Sequence, residues 1–269
     1  MPIIEQLQCL DPTPEEIALR ELRDKLEDVI CDDNKFDDDF YLLQWLKAQK
    51  MNPGKAETMI RNSIAWRKTN GIIVPECADD YQCEIGESVK FLLNSKDKNG
   101  APVVCIHLGK SDLRKAIEIF GRERVSKYFY TQFARVEAMM IEHNKRNNAN
   151  TKRITSDCST GITAILNSSG YSMRQAQSLE SLRVYLDIAR CGVGYFPAVL
   201  SRICFVNINR IFSMILKLIK PLLTIPGLKQ EVYGHDEEVW RKALLERIDA
   251  RDLYPDFGGI KPIDQVAEQ

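Results

Sequence analysis

The sequence lacks the long apolar segments that mark membrane-spanning and secreted proteins. A bilayer span needs about 20 consecutive apolar residues, but the strongest apolar run, Ile211–Ile219, contains Lys217 and is soon followed by Pro221. The first residues, Met1–Leu10, carry no basic region and no long apolar run, so they do not resemble a secretory signal peptide. We therefore expect neither a transmembrane chain nor a secreted one.

Cysteine pairing motifs are also missing. The eight cysteines are scattered along the 269 residues, and none of them lies in a Cys-x-x-Cys pair. This distribution indicates neither a zinc site nor a disulfide framework. We expect reduced thiols in a cytoplasmic protein.

Catalytic signatures are scarce as well. The three histidines are His107, His143 and His235, and none belongs to a metalloprotease, nucleophile-elbow or phosphate-loop motif. Gly192-Val193-Gly194 precedes a proline instead of opening a helix after a strand. Asp157-Cys158-Ser159 has no positioned histidine that could activate the thiol. We therefore expect no enzymatic activity, no cofactor and no metal.

Charge is unevenly distributed along the chain. Residues 1–40 hold 13 acidic and 4 basic side chains, whereas the net charge of the whole chain is only −1, so the remainder is strongly basic. One interpretation is that the acidic N-terminal segment is an ordinary solvated helical region. The other is that the basic remainder of the chain has a surface suited to anionic membranes. Nucleic-acid binding is not expected, because the pI is near 6.4 and no basic-aromatic motif occurs.

The first quarter of the chain shows three helix starts. Thr13–Glu16 forms a capping box, Asp37–Asp39 opens a second helix, and Asn52 precedes a proline at a third. Gly71 supplies the left-handed residue that ends the third helix. The pattern predicts a small helical bundle over residues 13–71, with nothing in it that suggests chemistry.

The rest of the chain alternates between strand-like and helix-like segments. Strands separated by helices at this spacing are typical of a parallel sheet with helical crossovers. The predicted elements are a strand at Pro102–Leu108, a helix at Arg122–Lys145, a strand at Arg153–Asp157, a helix at Ser172–Arg190, a strand at Arg202–Ile208, a helix at Ile211–Ile219, a strand near Val232 and a final helix capped by Asp236.

The helix at Ile211–Ile219 is unusual because it is apolar on nearly every side. Asn209 is a plausible N-cap, and Pro221 must kink or stop the helix because its nitrogen carries no proton. A helix without a polar face needs apolar surroundings. Three positions satisfy that need: the middle of a large core, the cover of a lipid pocket, or contact with a membrane.

Together these segments resemble the CRAL-TRIO lipid-binding family, and within it the group of supernatant protein factor. The resemblance covers about residues 13–259 and depends on the order and spacing of short motifs. The motifs are FYLLQWLKAQKMNPGKAETMIRNSIAWRK (residues 40–68), Asp157 after a strand, Phe196-Pro197, Val206-Asn207 followed by Phe212, Leu218–Leu223 and Phe257-Gly258-Gly259.

The resemblance implies an α/β fold with two lobes. A small N-terminal helical lobe would occupy residues 1–75, and an α/β lobe would occupy residues 76–260, followed by a short tail at 261–269. The mostly parallel sheet of the second lobe would floor an apolar pocket, closed by a movable gate helix at 211–220. We expect no C-terminal β-rich GOLD domain of the kind that supernatant protein factor carries.

Four departures from the family pattern bear on the ligand. Ala198-Val199 stands where the family has an acidic–basic pair, and Asn207-Ile208-Asn209 replaces Asn-x-Pro. The stretch between Asp157 and Pro197 is about ten residues longer than in close relatives. Thr224–Lys229 is shorter and differently ordered than the segment that phosphoinositide-transferring members use for the inositol phosphate. These departures imply weak binding and poor transfer of phosphatidylinositol.

The function expected from these observations is non-enzymatic transport of one small hydrophobic ligand, such as a lipid or a tocopherol-, retinoid- or terpenoid-like molecule. Burial of apolar surface gains about 25 cal/mol per Å², so an apolar pocket can hold such a ligand without covalent chemistry. Contact with membranes would be transient and peripheral, and we expect a monomer. The alternative is a lipid-sensing interaction module that recruits or regulates a partner protein at membranes.

The candidate ligand-binding residues are apolar side chains of the predicted strands and helices. They are Ile106, Leu108, Phe129, Phe133, Ile154, Phe205, Phe212, Ile215, Leu216 and Ile219. The candidate membrane contacts are Lys217, Lys220, Leu222 and Leu223. Cations near the end of a helix also complement its dipole, so the two lysines have a structural interpretation beside the functional one.

Overall fold

A computed structural model describes residues 11–72, 80–89, 91–197 and 199–262. The expectations for Met1–Leu10, for Ala198, for a lobe boundary at residue 75 and for the tail beyond residue 262 lie outside these residues. Within them the chain is α/β, as predicted, with an N-terminal group of helices followed by a mostly parallel sheet.

Three of the N-terminal helices begin at the predicted capping residues, and the last of these ends at the predicted Gly71. The N-terminal helices are α1 (Pro14–Lys25), α2 (Glu27–Asp32), α3 (Asp39–Ala48) and α4 (Pro53–Asn70). Thr13 and Glu16 form the capping box of α1, and the side chain of Asn52 accepts the amide of Lys55 in the first turn of α4. Gly71 ends α4 with a φ of 59°, a conformation that glycine adopts without a steric penalty. These local predictions are confirmed.

The sheet contains five strands in sequential order within the described residues. Strand β1 pairs with β2 in the antiparallel sense, and β2 to β5 are parallel to one another. The strands are β1 (Phe91–Lys96), β2 (Pro102–His107), β3 (Ile162–Asn167), β4 (Leu200–Val206) and β5 (Lys229–Val232).

Helices connect the strands and cover both faces of the sheet. They are α5 (Asp80–Ser88), α6 (Leu113–Phe120), α7 (Arg122–Asn147), α8 (Met173–Ala176), α9 (Leu179–Tyr195), α10 (Arg210–Ile219) and α11 (Glu237–Leu245). The predicted helix at Ser172–Arg190 is thus two helices. Ser178 caps α9 by accepting the amide of Ser181, so the chain turns between them.

The predicted strand at Arg153–Asp157 is wrong. The backbone of Ile154 bonds to the cap of α1, with its N–H donating to Glu16 Oε1 at 3.0 Å and its C=O accepting from Thr13 Oγ1 at 2.7 Å. Residues Ser156–Cys158 form a 3₁₀ turn. The strand is β3 instead, an apolar run buried from both sides, as parallel strands commonly are.

This correction also removes the apparent insertion. The strand ends at Asn167 rather than Asp157, ten residues later in the chain, which accounts for the extra length counted from Asp157 to Pro197. Asp157 itself lies in the exposed 3₁₀ turn, and Asn167 occupies the strand end. The carboxyl ends of β2, β3 and β4 therefore present His107, Asn167 and Val206.

A buried ion pair joins the N-terminal helices to α7. Arg67 donates two hydrogen bonds to the carboxylate of Glu137, at 2.5 and 2.8 Å, and Tyr41 donates a third at 2.8 Å. Burial raises the pKa of Glu137, but the charge and hydrogen bonds of Arg67 lower it more, so the net shift is downward. Arg67 also donates to the C=O of Tyr195 at the end of α9. This polar cluster thus ties four helices together, α3, α4, α7 and α9.

We expect Glu137→Gln to lower the free energy of unfolding at pH 7 by about 3 kcal/mol or more, because it leaves Arg67 buried without its counter-charge. The pKa of Glu137 is lower in the folded state, so its contribution is present above the unfolded pKa and lost as pH falls through the folded pKa. Urea unfolding at pH 7 and at pH 3 measures both effects, and the gap between variant and wild type should narrow in acid.

A matched control is Asp28→Asn, which breaks an exposed pair with Arg61. Exposed pairs contribute little to stability, so this variant should unfold at nearly the wild-type urea concentration. If both variants lose the same free energy of unfolding, the buried pair contributes no more to stability than an exposed one, and the prediction is wrong.

Candidate ligand cavity

The two faces of the sheet are covered by different sets of helices. Because side chains alternate along a strand, neighbouring residues of β2, β3 and β4 point to opposite faces. One face carries Val103, Cys105, Ile165, Cys204 and Val206, and these pack with Trp240 and Leu244 of α11 in a continuous buried cluster. That face is filled by protein.

The other face of the sheet floors an apolar cavity of about 150 Å³. The floor comes from β1 to β4, the walls from α7 and α9, and the cover from α10 and the chain after it. The described residues that line it are Val89, Phe91, Val104, Ile106, Leu108, Ser111, Leu113, Phe129, Phe133, Val136, Ile162, Ala164, Leu166, Tyr185, Ile188, Ala189, Gly192, Val193, Val199, Leu200, Ile203, Phe205, Phe212, Ile219, Leu223 and Ile225.

Helix α10 covers the cavity with one of its faces. Asn209 caps it, its side chain accepting the amide of Phe212 at 2.8 Å and donating to the C=O of Tyr171 at 2.7 Å. Phe212, Ile215 and Leu216 are buried against the sheet and the start of α8. The spacing of three and four residues places them on one side of the helix. This inner face is the structural reason that the helix lies over the cavity.

The outer face of α10 is exposed although it is apolar. Met214 is 64% exposed and Leu218 is 54% exposed, and Lys217 lies between them on the same side. The helix is therefore not in the middle of a core, which was one of the three positions expected from its composition. It covers a cavity with its inner face and presents a partly apolar outer face.

Several hydrogen bonds fix the segment between β4 and α10. Asn207 has a positive φ of 55°, its C=O accepts from Ser168 Oγ at 2.7 Å, and its side chain bonds to Asn167 and Trp240. The chain after α10 has fewer such bonds. Residues Pro226 and Gly227 are exposed there, and Gly227 has a φ of 80°.

The cavity is electrostatically neutral over its described lining. No charged side chain belongs to that lining, and its hydroxyl groups are those of Ser111 and Tyr185. Burial, together with the nearby hydroxyl of Tyr171, raises the pKa of Tyr185 well above its ordinary value. Burial also raises the pKa of Tyr171. Both tyrosines therefore stay uncharged at neutral pH.

The structure brings together most of the residues that were proposed as ligand contacts. The cavity is lined by Ile106, Leu108, Phe129, Phe133, Phe205, Phe212 and Ile219. Ile154 lies elsewhere, against the core of the N-terminal helices. Ile215 and Leu216 are on the inner face of α10 but pack in the cluster beneath the helix rather than in the lining.

The proposed membrane contacts divide in a similar way. Lys217 and Lys220 are exposed, Leu222 is half-buried, and Leu223 lines the cavity. The sequence reasoning overlooked the exposed Met214 and Leu218, because nothing in an all-apolar helix distinguishes its inner from its outer face.

One wall of the cavity was missed entirely by the sequence reasoning. Helix α9 contributes Tyr185, Ile188, Ala189, Gly192 and Val193. Their spacing of three and four residues is the signal that could have found them. Gly192 lies so close to α7 that an added Cβ would come within 3.4 Å of the ring of Phe133.

The histidine at the carboxyl end of β2 has a structural partner. His107 lies at the end of β2, where burial lowers its pKa and its Nδ1 accepts the amide of Lys110. Cys31, Cys105, Cys158, Cys191 and Cys204 are free thiols. No group of three or more acidic, histidine or cysteine side chains is arranged to hold a metal ion in the described part of the chain. None of the helices described there has both the length and the apolarity to cross a membrane.

Comparison with known proteins adds four findings. The model of the CRAL/TRIO domain family matches residues 86–259. The chain is 28% identical over 259 residues to the SEC14 cytosolic factor of Eremothecium gossypii, covering 93% of this chain and 78% of that protein. It is 26% identical over 228 residues to phosphatidylinositol/phosphatidylcholine transfer protein SFH4 of Arabidopsis thaliana, covering 83% of this chain and 35% of that one. The crystal structure of Sfh5 matches with a TM-score of 0.61 at 16% identity, over 96% of this chain and 91% of that one, which is a likeness of fold.

We expect Ala164→Leu, on the cavity floor, to abolish binding of the neutral fluorescent probe N-phenyl-1-naphthylamine while the melting temperature changes little. The added side chain occupies apolar space that is otherwise empty, so the probe loses its room and the fold gains contacts. Fluorescence titration measures the binding. Ile165→Leu, on the opposite face of the same strand, is the control and should bind normally. Unchanged binding in folded Ala164→Leu protein would place the probe outside the cavity.

Proposed function

This chain belongs to the CRAL/TRIO domain family, and on that premise we propose that it binds a small hydrophobic ligand in its cavity and carries it between membranes without catalysing a reaction. The observation that carries the proposal is the cavity itself, whose described lining is apolar apart from two hydroxyl groups. Such a lining removes hydrocarbon from water. Neither hydroxyl has a histidine or a charged side chain beside it in the described lining that could activate it for catalysis.

The size of the cavity supports a moving cover. Pockets for drug-sized ligands occupy about 300–1,000 Å³, whereas this cavity is about 150 Å³. A lipid therefore enters only if the lining expands. Helix α10 is the element that gives way, because none of the described residues packs on its exposed outer face to resist the movement.

The two ends of α10 suggest how it moves. Its start is anchored through Asn207 and Asn209, which together make hydrogen bonds to β3, α11 and the segment before α8. Its end runs into Pro221 and the exposed turn at Gly227. The gate thus opens from its C-terminal end while the N-terminal end serves as the hinge.

The outer face of the gate is suited to a membrane surface. Met214 and Leu218 supply apolar contact, and Lys217 and Lys220 supply positive charge. A membrane that binds the open gate better than the covered one shifts the population toward opening. Transfer then requires no energy source other than this difference in binding.

The phosphatidylinositol that names one of the relatives is not the ligand favoured here. A phosphate inside the cavity would lose its hydration without meeting a cation, since no charged side chain belongs to the described lining. Thr224 and Lys229 are both exposed. Poor transfer of phosphatidylinositol therefore stays a prediction. We further propose that the protein works in the cytoplasm as a monomer, in peripheral and transient contact with membranes.

Leu218→Asp should slow the transfer of a fluorescent hydrophobic probe between vesicles at least tenfold, because the charge opposes contact of the gate with the bilayer. Val239→Asp is a closely matched control: both side chains are 54% exposed, but Val239 lies on α11, which packs against the opposite face of the sheet. Melting temperatures should be alike in the two variants.

Stopped-flow transfer between donor and acceptor vesicles separates carrier from interaction module. A carrier shows a transfer rate that depends on α10 and not on α11. A lipid-sensing interaction module would bind the vesicles and transfer nothing, and equal slowing by both variants would refute a gate at α10.

The lysines of the gate provide a separate test. A basic residue near an anionic surface contributes about 1 kcal/mol of attraction, so Lys217→Gln with Lys220→Gln should weaken binding to anionic vesicles roughly thirtyfold. Binding of the wild type should fall as salt shortens the Debye length, about 8 Å at physiological ionic strength. Sedimentation with vesicles of rising phosphatidylserine content measures this. Binding that is insensitive to salt and to lipid charge would leave the lysines with only a role at the helix end.

A further inference from the structure

Tyr185 occupies a central place in the wall of the cavity. It lies on α9 and packs against two buried clusters, one around Leu113 and Phe129 and the other around Phe205 and Phe212. It therefore lies between the α7 wall and the cover of the cavity. A ligand that fills the space beneath the gate touches this side chain.

The hydroxyl of Tyr185 differs from the other hydroxyl of the lining. Ser111 Oγ donates to the C=O of His107 at 2.7 Å, so its proton is used by the protein backbone. The hydroxyl of Tyr185 has another hydroxyl, that of Tyr171, as its hydrogen-bonding neighbour. A hydroxyl pair can exchange partners, because each member is both a donor and an acceptor.

Tyr171 connects this pair to the gate. Its ring meets the ring of Phe212 edge to face, with centroids 5.0 Å apart, and its C=O accepts from the Asn209 side chain at 2.7 Å. The pair thus lies beneath the anchored start of α10, the end that stays in place when the gate opens. A group held there keeps its position through loading and release.

We propose that Tyr185 recognises one uncharged hydroxyl or carbonyl oxygen on a ligand that is otherwise hydrocarbon. This inference depends on the proposed function and narrows it to a class of ligand. The Tyr185 hydroxyl can donate to the oxygen of an alcohol or ketone while it accepts from Tyr171, so binding leaves neither tyrosine hydroxyl unpaired. A phosphate or carboxylate brings a charge that nothing in the described lining neutralises.

The test compares two probes of similar size and shape, farnesol and farnesene, of which only farnesol carries a hydroxyl. Both displace N-phenyl-1-naphthylamine from the intact protein if the cavity accepts them. Tyr185→Phe removes the hydroxyl and keeps the ring. A neutral hydrogen bond contributes about 0.5–1.5 kcal/mol, so farnesol should bind roughly three- to tenfold more weakly to this variant. The affinity for farnesene should be unchanged, which also shows that the variant is folded.

Tyr130→Phe is the matched control, since Tyr130 lies on α7 outside the lining and its hydroxyl interacts with Ser126. It should leave both affinities at wild-type values. Equal affinities of wild type and Tyr185→Phe for farnesol, or equal losses for both probes, would overturn the inference while leaving the carrier function intact.

Two further outcomes separate the inference from the proposed function. Saturable extraction of labelled phosphatidylinositol from vesicles, as tight as farnesol binding, would overturn the uncharged ligand class and still support a carrier. If the wild-type protein binds neither farnesol nor farnesene, the inference fails, while the carrier function is still decided by the transfer of a probe between vesicles.

Discussion

The structure depends on a sheet that is apolar on both faces and covered by helices on both, but completely filled by protein side chains on only one of them. Residues such as Cys105 and Ile165 meet α11 in a filled core, whereas their neighbours Ile106 and Leu166 face a cavity. Burying apolar surface is the main favourable term in folding, and empty apolar space reduces that gain. The cavity face is therefore the less stabilised half of the core. A hydrophobic ligand supplies the contacts that the protein does not make there.

The walls of that cavity keep their positions because the N-terminal helices hold them from behind. The guanidinium of Arg67 lies 3.9 Å from the ring centre of Phe196, Phe196 stacks on Phe133, and Phe133 lines the cavity. Trp66 stacks on Tyr195 with ring centroids 4.3 Å apart. These contacts fix the end of α9 against α4. The N-terminal helices α1 to α4 thus support the cavity wall without contributing to its described lining.

The cover is built differently from the walls. Helix α10 is anchored at its start and is packed on one side only, so it is bound to the rest of the protein by a single apolar face. The exposed Met214 and Leu218 lower the stability of the covered form in water relative to a helix with a polar outer face. These two exposed side chains also favour a state in which α10 contacts another apolar surface, so the free-energy difference between that state and the covered state is smaller. A wall held from behind and a cover packed on one side are the combination that the proposed carrier function requires.

The sequence by itself determined what depends on neighbouring residues. Thr13, Asn52 and Asn209 cap helices because a side-chain oxygen reaches an amide two or three residues away. The strand at 202–206 and the helix at 211–219 were also predictable, since each has its own periodicity or composition. Seven of the predicted ligand contacts line the cavity; they were proposed because the resemblance to the CRAL-TRIO family implies an apolar pocket on the sheet beneath the helix at 211–220.

Only the tertiary structure decided what depends on distant partners. The segment at 153–157 has the composition of a short strand, but the cap of α1 takes the hydrogen bonds of Ile154, and β3 forms ten residues later. The sequence does not show whether Leu216 or Leu218 lies on the exposed side of α10, because nearly every side of the helix is apolar. The rotation of the helix about its axis is set by which of its faces packs on the sheet. The pairing of Arg67 with Glu137 spans 70 residues, and no local pattern specifies it. Local hydrogen bonds are encoded within a few residues of each other, whereas burial and charge pairing exist only once the chain has folded.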